Sequence, residues 1–267
     1  MGTLERNADQ TARKEGERFV TRRIVIKIGT STITAGKDEP DLKFMGEVAR
    51  QATELFSDGV DVIIVSSGAV ASGKRGDFPR RDITDKQVEA VYGQPKLMAK
   101  WHEAFEIHGI EVGQVLFTDI DLKEKAENAR EVLSRALKRG VVIINYNDAV
   151  ADEEMQKVER SADNDKLAGA VARLIDADTL LILTDVDGVM DEGELIPVVD
   201  RLEDIEDLAH RGGTGTGGAW SKWIEAKEVA KEGKRSIIAN GRAEDIILNV
   251  AKGQNVGTRF VAGYMFY

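Results

Sequence analysis

Short, wholly apolar runs alternate along the chain with longer stretches in which apolar residues recur every three or four positions. Ile24-Val25-Ile26-Lys27-Ile28 is a β-branched run closed by Gly29, which predicts a buried strand and a turn. Met45, Val48, Ala49, Ala52, Leu55 and Phe56 fall at helical spacing, and Asp58-Gly59 ends that helix. Val62-Ile63-Ile64-Val65 predicts the next strand. A helix is expected over 87–108, with Gly93 and Pro95 breaking or kinking it, and a strand over 112–117. The amphipathic stretch 128–138 is expected to end at Gly140, and Val141-Val142-Ile143-Ile144 is a strand. Asp163 is placed as the cap of a helix with Leu167, Ala170, Val171 and Leu174 on one face. Strands over 179–183 and 236–239 and helices over 205–209, 221–232 and 243–251 complete the pattern.

Strands that are apolar throughout and alternate with helices imply a mainly parallel sheet covered on both faces, an α/β fold. Ligands of such sheets sit beyond the carboxyl ends of the strands. Lys27-Ile28-Gly29, Ser66-Ser67-Gly68, Asn145-Tyr146-Asn147-Asp148 and Thr184-Asp185 each follow or end a predicted strand, so one shared site is expected there. No internal repeat or low-complexity linker divides the chain; residues 1–20 read as a flexible polar arm. The glycine-rich stretch 211–218 is the remaining candidate for a mobile segment.

Composition narrows the chemistry. The 267-residue chain has no cysteine, which removes disulfides and thiolate metal sites, and its three histidines do not suit a histidine-rich zinc centre. A formal net charge of −10 argues against a general nucleic-acid binder. It leaves room for anionic substrates in a locally positive pocket. There is no apolar run of the ~20 residues a membrane span needs, and no apolar signal core near the N-terminus, so a cytoplasmic location is expected.

Gly213, Gly215 and Gly218 form a nominal G-x-G-x-x-G, but acidic sequence rather than a strand precedes them. Gly215-Thr216-Gly217-Gly218 offers unhindered backbone N–H groups before a helix start expected near Ser221, a geometry suited to polyphosphate. Lys222, in the expected first turn, could reach a transferred phosphoryl group; a plain surface loop is the other reading. Lys27, at the end of a buried strand, must snorkel or meet an anion, and Gly29 lets backbone approach a ligand. The Ser67 hydroxyl and Gly68 amide could bind a carboxylate or simply cap a helix. Asn145, Asn147 and Asp148 suit an α-amino acid's two charged groups; Asp163, Asn164 and Asp165 could do the same or hold lysines in place, and turn chemistry is the other reading of both clusters. Thr184-Asp185 reads as a site for metal-bound phosphate or as a turn.

Taken in order, these motifs resemble the amino acid kinase superfamily, and within it the glutamate 5-kinase family. The likeness runs from Arg23 to Phe260 and includes Lys27-Ile28-Gly29-Thr30-Ser31, Val65 to Gly73, Val91-Tyr92-Gly93-Gln94, Asn128-Ala129-Arg130, both Asn/Asp clusters, Leu183-Thr184-Asp185, the 215–218 loop with Lys222, and Gly257-Thr258-Arg259-Phe260. The resemblance implies a three-layer α/β/α sandwich, with an amino-acid lobe over 21–177 and a nucleotide lobe over 178–267. It implies MgATP-dependent phosphorylation of the γ-carboxylate of L-glutamate, feedback by proline, and a homodimer or homotetramer. Lys27 and Lys222 would stabilise the transferring group and Asp163 would orient them. Ser67, Gly68, Asn145, Asp148, Asn164 and Asp165 would hold glutamate. Gly29, Thr184, Asp185, Gly215, Thr216, Gly217 and Gly218 would hold ATP, whose phosphates carry the Mg2+. Tyr146 stands where the family commonly has glutamate, Ala162 where it has glycine, and Met190 where it tends to have tyrosine. These departures motivate an alternative acceptor, another carboxylate or a small phosphate; a non-catalytic sensor fits less well because both lysines are present. The likeness ends near Phe260, so the RNA-binding-like domain that many members carry is not expected within these 267 residues.

Overall fold

The computed structural model describes residues 21–76, 82–150, 160–201 and 218–262, without side chains at 160–163 and 218. Its core is an eight-stranded sheet. In chain order the strands are β1 (Arg23–Ile28), β2 (Asp61–Ser66), β3 (Glu111–Phe117), β4 (Gly140–Tyr146), β5 (Thr179–Thr184), β8 (Val198–Val199), β9 (Arg235–Asn240) and β10 (Thr258–Phe260). The two numbers between β5 and β8 belong to a separate small hairpin, β6 (Met190–Asp191) with β7 (Glu194–Leu195). The spatial order is β3-β4-β2-β1-β5-β9-β10-β8. The six strands from β3 to β9 pair in parallel; β10 runs antiparallel to β9. The expected mainly parallel α/β sheet is therefore present.

Helices cover both faces. They are α1 (Thr30–Thr34), α2 (Leu42–Ser57), α3 (Ala69–Gly73), α4 (Ile83–Glu106), α5 (Asp119–Glu124), α6 (Ala126–Ala136), α7 (Arg160–Leu174), α8 (Gly218–Lys231) and α9 (Ile246–Ala251). Side chains alternate across β1. Ile24, Ile26 and Ile28 join the core under α2, α4 and α9, whereas Val25 joins the core under α6, α7 and α8. Lys27 has the parity of Val25 and so points beneath α7 and α8. In register, Ile28 lies beside Ser66 and Leu183, and Thr184 beside Asn240, which aligns the carboxyl ends of the central strands into one rim.

Several local expectations change. Of the break or kink expected at Gly93 and Pro95, the break does not occur: α4 is one continuous helix with Pro95 inside it. The carbonyl of Val91 that Pro95 leaves without a donor lies on an exposed residue, where water can serve it. Gly93 is there for a close crossing: a Cβ on it would sit 1.7 Å from the Ala69 carbonyl oxygen, and one on Gly73 would sit 1.8 Å from that of Glu89. Gly140 does not stop a helix but begins β4, where a Cβ would fall 2.0 Å from the Glu111 carbonyl oxygen. Asp163 does not cap α7, which begins at Arg160. Asn145 belongs to β4 rather than to the loop after it. α1, α3 and α5 were missed because each has only five or six residues, too few to show a period. The helix expected over 205–209 and the stretch 211–217 lie outside the described residues, as does the arm.

Gly93→Ala is expected to destabilise the fold by at least ~1–3 kcal/mol, because two backbones must separate to admit one methyl group. An unchanged urea midpoint would refute this account of the crossing.

Candidate active site

The site begins with a buried charge. The Lys27 side chain is 1% exposed, and its Nζ lies 2.5 Å from Oδ1 of Asp165, which is 0% exposed. It is a close ion contact rather than an aligned hydrogen bond. The other oxygen of Asp165 accepts a 2.7 Å hydrogen bond from the Ser221 hydroxyl. One carboxylate therefore joins β1, α7 and α8. Burial lowers the pKa of Lys27 from its ordinary 10.5; Asp165 opposes this, the Lys222 ammonium lowers it further, and Asp185 opposes again. Lys27 and Lys222 thus lie within each other's electric field, which is what a shared anionic group requires. Gly29 roofs this point, since a Cβ there would stand 3.4 Å from the Lys27 ammonium.

Beside the lysines lies a cavity of about 620 Å³, lined by Ser31, Thr184, Asp185, Met190, Lys222 and Trp223 among others. Asp185 ties the end of β5 to α1: its Oδ1 accepts from the Ser31 and Thr32 hydroxyls, each at 3.2 Å. Lys222 lies in α8, which begins at Gly218, so it sits in the second turn rather than the first, and Ser221 is inside the helix rather than at its start. Of the glycine loop, only the Gly218 backbone is described; Gly215, Thr216 and Gly217 lie outside the described residues.

On the opposite side, β2 delivers Ser67 and Gly68. Gly68 has φ 108°, a conformation glycine alone adopts without strain, and it is the residue from which α3 starts. Asn164 donates to the Ser67 hydroxyl oxygen at 2.7 Å. The Asn164 carbonyl oxygen is buried with no hydrogen-bond partner among the described residues, an acceptor placed for an incoming N–H. Asn145 is 1% exposed and both ends of its amide are taken: it donates to Gln94 at 2.9 Å and accepts from the Tyr146 backbone N–H at 2.9 Å. It reaches the site as a support rather than as an open contact. Asp148 follows in the turn after β4. The Tyr146 hydroxyl donates to Asp119 at 2.9 Å, coupling the ends of β4 and α5.

Lys27, Asp165, Asn164 and Ser67 thus form one connected group, with Lys222, Thr184 and Asp185 around the adjoining cavity. The Asp163 side chain lies outside what is described. Sequence reasoning gave no role to Ser31, Thr32, Gln94, Trp101 or Ser221. Trp101 donates to the Ser66 hydroxyl at 3.0 Å, and that hydroxyl donates to the Ser67 carbonyl at 3.1 Å, fixing the β2 turn. A buried tryptophan whose N–H needs an acceptor was the only signal available for it.

Asp165→Asn should cost ~3–5 kcal/mol, because it strands a buried ammonium. In the wild type, Lys27 has a folded pKa below its unfolded value, so the cost of keeping it charged is present at low pH and relieved as pH rises from the folded pKa to 10.5. Denaturant titrations across pH measure both; an Asp165→Asn protein as stable as wild type would contradict the pairing.

Residues 22–240 match the model of the Amino acid kinase family. The chain is 39% identical over 255 residues to the glutamate 5-kinase of Haemophilus influenzae (strain PittEE), covering 90% of this chain and 68% of that protein. It is 40% identical over 258 residues to the glutamate 5-kinase of Shewanella amazonensis, covering 90% and 67%. It is 40% identical over 256 residues to that of Dehalococcoides mccartyi, covering 90% and 68%. With a family match across most of its length and a lysine–aspartate centre at the carboxyl rim of its sheet, the chain belongs to the amino acid kinase family.

Proposed function

We propose that this protein transfers the γ-phosphoryl group of ATP to the γ-carboxylate of L-glutamate. The observation that carries the reading is the placement of Lys27, held on Asp165 and within the field of Lys222, beside a cavity large enough for a nucleotide. Phosphoryl transfer is catalysed chiefly by positioning and by stabilising charge on the transferred group. Two ammonium groups held from different elements do this without reorganisation. Asp163 would orient the lysines as the resemblance implies, and Asp165, whose two oxygens hold Lys27 and Ser221, supports the same arrangement.

The acceptor would lie against residues of 21–177. The Ser67 hydroxyl and Gly68 amide suit a carboxylate, the open Asn164 oxygen and Asp148 suit an α-amino group, and Asn145 supports them through Gln94. The nucleotide would lie against 178–267, with Gly29, Thr184 and Asp185 at its phosphates and the 215–218 loop over them. Mg2+ would be carried on ATP, with Asp185 among the carboxylates that line the cavity. Bound there, Mg2+ would neutralise charge on the phosphates. The product would enter proline synthesis, and proline would compete for the α-amino and α-carboxylate contacts. A homodimer or homotetramer and a cytoplasmic location belong to the same reading; among the described residues no helix is long and apolar enough to cross a membrane. Tyr146, held on Asp119 beside the acceptor residues, favours testing a second reading in which another carboxylate is the acceptor.

Glutamate-dependent ADP release, trapped with hydroxylamine as the hydroxamate, is the expected result; release only with a different acceptor would replace glutamate in this scheme. Lys222→Ala should lose ~3 kcal/mol of transition-state stabilisation, about a hundredfold in kcat. Lys27 must stay protonated to act, and its pKa is lowered, so kcat/KM should fall on the alkaline side below pH 10.5. The limb should vanish in whatever activity Lys27→Arg retains, since a guanidinium keeps its charge. A limb that persists in that variant would assign the titration elsewhere.

A further inference from the structure

Glu225 is an acidic residue that the chemistry above does not use, yet it is 7% exposed. Its Oε1 accepts from Arg173 of α7 at 2.8 Å, and Arg173 also donates through Nε to Glu232 at 2.5 Å. The carboxylate lies over Gly169. A Cβ on Gly169 would stand 1.7 Å from Oε1 and 2.5 Å from the carboxyl carbon, so the glycine is the notch that admits it.

Asp165, Gly169 and Arg173 are four residues apart along α7 and form one stripe. Ser221 and Glu225 are four apart along α8 and form the facing stripe. The rungs between them are Ser221 to Asp165, Glu225 over Gly169, and Arg173 to Glu225. A second stripe of α8 lines the cavity: Ala219, Lys222 and Trp223, at i, i+3 and i+4. Lys222 follows Ser221 by one residue, about 100° around the helix. The ladder that docks α8 therefore sets the direction of Lys222. A 20° roll of α8 would carry a side chain at the helix surface by roughly 2 Å, given a helix radius of about 5–6 Å. Displacements of that size matter greatly to positioned catalysis.

We propose that Glu225, seated in the Gly169 notch and held by Arg173, is a positioning residue that fixes the rotation of α8 and so aims Lys222 at the terminal phosphate of the nucleotide. This rests on the phosphotransfer reading. It differs from a purely stabilising role because it predicts a loss in kcat and in preference for a terminal phosphate, with substrate KM largely kept.

The test uses the full chain with Glu225→Ala, Glu225→Gln, Gly169→Ala, the Gly169→Ala/Glu225→Ala double variant, and Lys222→Ala as reference. Folding is checked by circular dichroism. Glu225→Ala is expected to lower kcat about tenfold or more, with both KM values within about threefold. Glu225→Gln, which keeps the shape and an oxygen for Arg173, should recover much of that loss. Gly169→Ala should lower kcat too, and the double variant should be no worse than Glu225→Ala, since removing the carboxylate removes the clash. Calorimetry with MgATP and MgADP, without acceptor, reads the aim of Lys222 directly: Glu225→Ala should shift the ATP-over-ADP preference toward that of Lys222→Ala. A folded Glu225→Ala with wild-type kcat and nucleotide preference, or losses at 169 and 225 that multiply, would overturn the inference. Absence of turnover on glutamate alongside an intact preference shift would instead overturn the proposed acceptor and leave the positioning role supported. A wild-type protein that binds neither nucleotide would overturn both.

Discussion

A lysine ammonium stripped of water in the middle of a protein needs an anion, and the contact between Lys27 and Asp165 sets the terms for the rest of this molecule. Burying such a pair costs several kcal/mol per ion in lost solvation, and apolar residues would fill the space at least as stably. The pair is nevertheless seated where β1 ends under α7 and α8, at the rim where ligands of parallel sheets bind. Because Asp165 also accepts from Ser221, the strand and both helices converge on one carboxylate. Once Lys27 is held, its field and that of Lys222 overlap, and the space between them and the adjoining cavity favours an anion.

Around this centre the fold uses close approach to place polar groups. The crossing of α3 and α4 at Gly73 and Gly93 brings α4 near the end of β2. There Trp101 holds Ser66, while Gln94, one residue from the crossing, holds Asn145. The Gly169 notch serves α7 and α8 in the same way. In each case a missing Cβ lets two elements pack closely enough for side chains on them to exchange hydrogen bonds beside the site.

The hydrophobic pattern made the strands and long helices legible because each is long enough to show its period: β1, β2, β4, β5, β9, α2 and α7 all contain the runs that predict them. The shared position of Lys27, Ser67, Asn145 and Asp185 at the strand ends was legible for the same reason, since a parallel sheet has one ligand-binding rim. The continuity of α4 was not. Gly93 and Pro95 signal a break only in the absence of a partner helix and of solvent at Val91, and neither is local information. Likewise the use of Asn145 as a support depends on Gln94, 51 residues earlier in the chain.

The sequence alone determined the class of fold and the edge on which chemistry would gather, because periodicity and strand order follow from which positions must leave water. It also marked Lys27 as a charge that must either snorkel to water or meet an anion. Which anion answers it was decided by tertiary structure. Asn164 and Asp165 are neighbours of nearly the same shape, but they point in directions about 100° apart on α7, and packing against β1 and α8 selects Asp165 for the buried contact and Asn164 for Ser67.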